Sequence, residues 1–236
     1  MGVHGGPDIV EDGLIFAVDA GNGQSYVSGS ATCVDMISNL NGTLINTVVY
    51  ENINQGTWNF DGSDDYIQIG EDLTTLIPGS ALSVEGWFKV ASLGTNETIF
   101  SCVPGNSGAY HWYLRINDSS QLEYAMRNEA GSPFYKSITG GTTLVIDTWY
   151  HGCTTWDGSD INLYLNGISD TAAVASSFYI SNYNGPKNNI GARVEANTSS
   201  PIDEFYGNIS SLRYYNKALT AAEVLQNYNA TKERFI

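Results

Sequence analysis

Catalysis or metal binding in this chain would have to rest on its carboxylates, because other reactive side chains are few and scattered. Asp61, Asp64 and Asp65 crowd into FDGSDDYIQIG (Phe60–Gly70). Such a group can either supply oxygen ligands to a hard cation or cap a tight turn through side chain to backbone bonds. A second acidic group, Glu195, Asp203 and Glu204, lies further along. A retaining glycosidase needs two carboxyls ~5–5.5 Å apart, one as nucleophile and one as acid. On a strand that means acidic residues at even spacing, so that both project into one groove. Here the outward strand carboxylates, Glu85 and Glu123, are isolated and would have to meet across strands. His4, His111 and His151 lie near no nucleophile-elbow sequence, and there is no phosphate loop or zinc-ligand spacing. The expectation is a protein without catalytic activity.

Aromatic and basic residues point to binding instead. Alternation along Leu82–Val90 sets Leu82, Val84, Phe88 and Val90 inward and Ser83, Glu85, Trp87 and Lys89 outward. The same reasoning turns Tyr113 and Arg115 outward from His111–Asn117, and Arg127 outward from Gln121–Asn128. Tyr164, with Asn162 and Asn166, is outward on Ile161–Leu165. A sugar-binding face needs rings that stack on the apolar side of a pyranose and donors for its hydroxyls. Trp87, Tyr113, Arg115, Arg127 and Tyr164 are therefore the candidate ligand-binding residues. The same residue types are enriched where proteins meet, so this face fits equally a cover by a long loop or a contact within a homo-oligomer.

The elements that must carry these residues are short strands joined by turn signals. Gly13–Ala20 alternates with Leu14, Phe16 and Val18 on one side. Asp61-Gly62, Asp157-Gly158 and Asn166-Gly167 are turn dipeptides that supply positive φ. One helix is marked near the C-terminus. Thr220 is its N-cap, Glu223 completes a capping box, and Leu219 and Val224 form a hydrophobic staple. Val224, Leu225 and Tyr228 give its apolar stripe. The pattern predicts an all-β sandwich of two antiparallel sheets with one short C-terminal helix. Residues 13–236 read as a single domain, preceded by a Gly-rich N-terminal arm over residues 1–12.

Composition narrows the partners. Ten basic against 25 acidic residues leave a net charge of −15, which disfavours nucleic acid and anionic membranes. No apolar run approaches the ~18 residues of a membrane span, and residues 1–13 lack the basic and apolar regions of a secretory signal. Cys33, Cys102 and Cys153 are an odd set without metal spacing, expected as free thiols made in a reducing cytoplasm. The six Asn-x-Ser/Thr triplets are read as by-products of an Asn- and Thr-rich chain.

In order, GPDIV (Gly6–Val10) leading to Gly13-Leu14, the Phe60–Gly70 segment, WYHGCTTWDGSDINLYLNG (Trp149–Gly167) and GNISSLRYYNKALTAAEVLQNY (Gly207–Tyr228) form a recognisable set. Together they resemble the concanavalin A-like lectin/laminin G-like domain, in the version found in virion proteins of tailed bacteriophages. The resemblance implies a jelly-roll sandwich. It implies a structural component of the virion surface, decorating the capsid or forming a head or tail fibre, with major capsid or tail proteins as partners. A lectin recognising host-surface polysaccharide is the alternative, and a glycoside hydrolase of the same fold the third. Related jelly rolls carry an Ile-Asp-Glu run whose Asp contributes to a structural calcium site. This chain has Ile209-Ser210-Ser211 instead. Calcium would then fall to Asp64 and Asp65, or to Glu195, Asp203 and Glu204, which lie where related pentraxins place their calcium-binding carboxylates.

Overall fold

A computed structural model describes residues 8–70, 81–103, 112–127, 135–176, 187–194 and 200–236. His111, Glu195 and the side chain of Arg127 lie outside the described set. The strands begin with β1 (Leu14–Asp19), β2 (Thr32–Cys33), β3 (Gly42–Ile45), β4 (Val49–Glu51), β5 (Thr57–Asp61) and β6 (Tyr66–Ile69). Next come β7 (Leu82–Val90), β8 (Glu97–Val103), β9 (Trp112–Ile116), β10 (Gln121–Arg127), β11 (Tyr135–Thr143), β12 (Trp149–Trp156) and β13 (Asp160–Leu165). The last are β14 (Ile168–Ser169), β15 (Val174–Ala175), β16 (Lys187–Ile190), β17 (Arg193–Val194), β18 (Pro201–Ile202) and β19 (Tyr206–Tyr215). Helix α1 (Ala221–Thr231) and a 3-10 turn (Lys232–Arg234) close the chain.

Two antiparallel sheets form the sandwich. Among the described residues the first has nine strands along the path β14-β13-β12-β7-β19-β5-β4, with β1 beside β19 and β15 beside β13; the second has eight, in the order β11-β10-β9-β8-β16-β6-β3-β2. β17 and β18 form a separate two-stranded ribbon. Between the sheets lies one core, where Phe16, Trp58, Phe88, Phe100, Trp112 and Tyr214 are all fully buried. The inward set expected for β7 belongs to it, as do Trp112, Leu114 and Ile116 of β9 and Leu122, Tyr124 and Met126 of β10. Cys33, Cys102 and Cys153 are buried free thiols.

Turn chemistry explains the connections. Asn166 and Gly167 both take positive φ, 52° and 79°, as a two-residue hairpin turn requires. Gly62, at φ 75°, turns after β5, so a side chain there would be strained by conformation alone. In β1 the expected face is broken. Leu14 pairs with Tyr215 and Phe16 with Tyr214, so a bulge intervenes. That slip moves Leu14 out of the central core and onto the cluster under α1.

Helix α1 starts as its sequence dictates. The Thr220 side chain accepts from Glu223 N–H, and the Glu223 carboxylate accepts in return from Thr220 N–H. Leu219 and Val224 pack in one buried cluster. The stripe differs in part from expectation: Val224 is fully buried, but Leu225 is exposed, and Asn227 is fully buried as well. The outer face of the nine-stranded sheet carries charge, and Asn227 supplies the polar partner that face requires. The described part of the expected N-terminal arm is seated here too. Val10 is buried and its N–H donates to Asn227 Oδ1 at 2.7 Å, while Gln226 donates to the Asp8 carbonyl.

Candidate functional site

The five ligand-binding candidates divide between the two sheets and do not form one platform. Trp87 and Tyr164 belong to the nine-stranded sheet, while Tyr113, Arg115 and Arg127 belong to the eight-stranded one. Trp87 does point away from the core, as alternation requires, but it is fully buried. The C-terminal segment covers it: Phe235 stacks at 4.3 Å and Tyr228 at 5.7 Å between centroids. Its Nε1–H donates to Thr231 Oγ1 at 2.8 Å. Tyr164 is likewise covered, packed with Val10, Cys153, Leu219 and Val224. The expectation that these two rings face a ligand is corrected by the helix that alternation cannot see.

Beneath α1 the same sheet holds a buried polar network. The Glu85 carboxylate receives Arg213 Nη1 at 3.1 Å and Asn227 Nδ2 at 3.1 Å, and His151 Nε2 stands 3.5 Å away. Burial alone would raise the Glu85 carboxyl; His151, Arg213 and Asn227 outweigh it and hold the group below the usual glutamate range. Cys153 shares this layer, opposite Glu85 in the strand register. Burial pushes its thiol well above the ordinary range, so the thiolate needed for nucleophilic chemistry is suppressed.

The outer face of the eight-stranded sheet brings together the remaining described candidates. Register sets Arg115 between Glu123 on β10 and Thr98 on β8, and Tyr113 between Ala125 and Ser101. Glu123 Oε2 accepts from Arg115 Nε at 3.2 Å and from Nη2 at 3.1 Å, a forked contact that fixes the guanidinium plane. That plane lies over the Tyr113 ring at 4.5 Å. Glu123 Oε1 receives the hydroxyls of Tyr113 at 3.5 Å and Tyr135 at 3.4 Å. Tyr135 is 43% exposed, so it forms the open rim of the cluster. The far side is closed by the β17–β18 ribbon. Asp203 bridges Arg193 at 3.1 Å and Arg115 at 3.4 Å, and Ser101 donates to the Ala192 carbonyl. The result is a fixed cluster in which buried Tyr113 and Glu123 hold the guanidinium, while Tyr135 and the edge of Arg115 are the groups left open to polyhydroxylated ligands.

Sequence reasoning missed Tyr135 and Arg193. Tyr135 opens a strand, YKSITGGTT, whose paired glycines erase the alternation signal. Arg193 sits in a two-residue strand, too short to carry any period.

The proposed calcium ligands are placed as follows. Asp61, Asp64 and Asp65 each offer an oxygen within 4.8 Å of the others. Asp65 and Asp61 spend carboxylate oxygens on backbone and hydroxyl donors. Asp65 Oδ1 takes Thr47 N–H at 2.7 Å and the Thr47 hydroxyl at 3.1 Å, its Oδ2 takes Asp61 N–H, and Asp61 Oδ1 takes Ser63 N–H. Burial raises the Asp65 carboxyl. Asp203 faces two guanidinium groups, a setting unsuited to a cation ligand. Burial, together with Asp203 and Asp64 nearby, raises the Glu204 carboxyl.

Two packed antiparallel sheets and a polar outer face define a lectin-like β-sandwich. The chain belongs to the concanavalin A-like lectin/glucanases superfamily, whose family model matches residues 61–225. No curated protein matches it in sequence. Among solved structures, it is similar to the receptor-binding domain of botulinum neurotoxin C/D mosaic serotype (19% identity, TM-score 0.69, covering 93% of this chain and 51% of that one). It is also similar to domain 4 of AbnA, a GH43 extracellular arabinanase from Geobacillus stearothermophilus in complex with arabinotriose (18%, TM-score 0.66, 93% and 100%). A third is the botulinum neurotoxin serotype D ligand-binding domain in complex with N-acetylneuraminic acid (18%, TM-score 0.63, 92% and 50%). The chain spans about half the length of these toxin domains. At such identities the likeness shows the fold.

Proposed function

We propose that this chain is a non-enzymatic carbohydrate-binding module that meets glycans with the outer face of its eight-stranded sheet. The Arg115–Glu123 pair carries the reading: its geometry is fixed by a forked contact and fringed by the Tyr113 and Tyr135 hydroxyls. A rigid set of donors and acceptors loses little entropy on engaging sugar hydroxyls. The sugars named with two similar structures, arabinotriose and N-acetylneuraminic acid, support the same class of ligand for this chain.

Catalysis is disfavoured by what separates the carboxylates. The Arg115 guanidinium contacts both Glu123 and Asp203, filling the space that a scissile bond or attacking water would need. The Glu85–His151 pair is sealed under α1. Incubation with polysaccharides should release no reducing sugar; release that is lost in Glu123→Gln would establish a hydrolase.

The ordered motifs from Gly6 to Tyr228 favour display on the surface of a tailed-phage particle, with capsid or tail proteins as partners. Quantitative mass spectrometry of purified virions tests this. Hundreds of copies per particle would mark a capsid decoration, a handful a tail adhesin, and none would end the virion reading. Glycan binding is tested apart from that, on an array of bacterial surface and plant polysaccharides probed with the labelled protein. Selective binding that is weakened by Tyr135→Ala supports the face; an array without selective signal overturns it.

A further inference from the structure

We propose a second saccharide site, at the edge of the sandwich where the loop after Tyr26 faces the β3–β4 turn, shaped for one or two neutral sugar rings. A cleft of about 400 Å³ opens there, within the size range of small-ligand sites. Its floor is aromatic. Tyr50 is half-buried and Tyr26 lies against it, 5.3 Å between centroids and tilted by 33°. Tyr26 in turn meets the fully buried Trp58 edge-on at 5.7 Å, so the tyrosine pair rests on a core ring. Leu44 and Val48 extend the apolar wall. The rim is polar and uncharged, made by Ser28, Ser30 and Asn46. Ring faces for the C–H side of a pyranose, next to hydroxyl and amide groups for its edge, are the two requirements of sugar recognition.

Both walls are set in advance. On one side the Tyr26 hydroxyl donates to the Ser30 carbonyl at 3.0 Å, closing the loop, and Ser30 N–H donates to the Val27 carbonyl. Gly29 has φ 87°, and a Cβ there would meet nothing within 4 Å, so the backbone itself is open to a ligand. On the other side Asn46 is held at φ 60°, a conformation uncommon outside glycine. Two contacts keep it there: Asn46 Nδ2 donates to the Asp64 carbonyl at 2.7 Å, and Thr47 N–H donates to Asp65 Oδ1 at 2.7 Å. The acidic segment 61–65 is thus a brace for this wall. Backbone held in sparsely populated conformations by its surroundings is a recurring property of ligand sites.

The charge pattern selects the ligand. The cleft lining holds no Asp, Glu, Lys, Arg or His, and Asp64 and Asp65 stand just behind one wall, with Asp61 beside them. An acidic sugar would be repelled by those carboxylates, whereas a neutral one carries no such penalty. This cleft lies on β3, β4 and the loop after Tyr26, and shares no residue with the Arg115–Glu123 face.

Amide chemical-shift mapping of the full chain tests the site, with maltotriose and arabinotriose as neutral probes and N-acetylneuraminic acid as the charged one. Saturable shifts at Gly29, Ser30, Ala31 and Asn46 with a neutral probe, absent with the acid, are the expected result. Tyr50→Ala should weaken that binding by about tenfold, the value of one well-placed aromatic contact. Because Tyr50 touches the core, Ala31→Phe serves as the second variant: it fills the cleft from an exposed position and should abolish the shifts. Tyr135→Ala should leave them unchanged, which separates this site from the sheet face. Shifts absent for both neutral probes, or equal for the acidic one, or surviving in Ala31→Phe, overturn the proposal.

Discussion

Glu85 shows how far one side chain's surroundings set its behaviour. It is fully buried, yet its carboxylate is held below the usual range by Arg213, His151 and Asn227. A carboxyl lowered in the folded state stabilises above its unfolded pKa, about 4.3, and that stabilisation is lost as pH falls through the folded value. Glu85→Gln should therefore cost about 3–5 kcal/mol at pH 7, since Arg213 would lose its charged partner. Urea melts at successive pH values should show the gap between wild type and variant narrowing below pH ~4; a gap independent of pH would contradict this account. Asp65 is the opposite case, a buried carboxyl that is raised and already engaged by Thr47 and Asp61 N–H groups. With those oxygens committed, adding calcium after exhaustive dialysis should leave the melting temperature unchanged. A calcium-dependent rise that is lost in Asp65→Asn would contradict this and place an ion at the turn.

Helix α1 decides, among the elements, what the nine-stranded sheet can do. Its N-terminal signals were legible in sequence because capping is local chemistry within four residues. Thr220→Ala should cost about 1 kcal/mol, read in thermal unfolding. What the helix covers was not legible. Alternation assigned Trp87 and Tyr164 to an outward face correctly, but outward became exposed only by assuming that nothing lay above. The C-terminal segment, more than 130 residues from Trp87 in sequence, settles the matter there, through Phe235 and Tyr228 on Trp87 and through Asn227 on Glu85. Trp87→Ala should accordingly lower stability by about 3–5 kcal/mol; near-normal stability would deny the helix its packing role. The shift of Leu14 has a similar origin. A single bulge in β1 is invisible to a period-two reading and moves one residue between two clusters.

Over the whole molecule, the two-sheet architecture could be read from turn dipeptides and alternating strands, since those patterns are properties of neighbouring residues. The site could be read only in part. Tyr113 and Arg115 were found because β9 alternates cleanly, whereas their partners Tyr135, Arg193 and Asp203 come together through register and a long crossover. The described surface of this acidic molecule carries a fixed Arg–Glu–Tyr cluster on the eight-stranded sheet. The reading as a carbohydrate-binding module stands on that cluster. Isothermal titration tests it most directly, using the strongest array ligand with the wild type, Tyr135→Ala and Arg115→Lys. Lysine keeps the charge but loses the forked geometry. The account predicts unchanged folding with at least about tenfold weaker binding in both variants, the scale of one lost charge-assisted or aromatic contact. Wild-type affinity in both would contradict it.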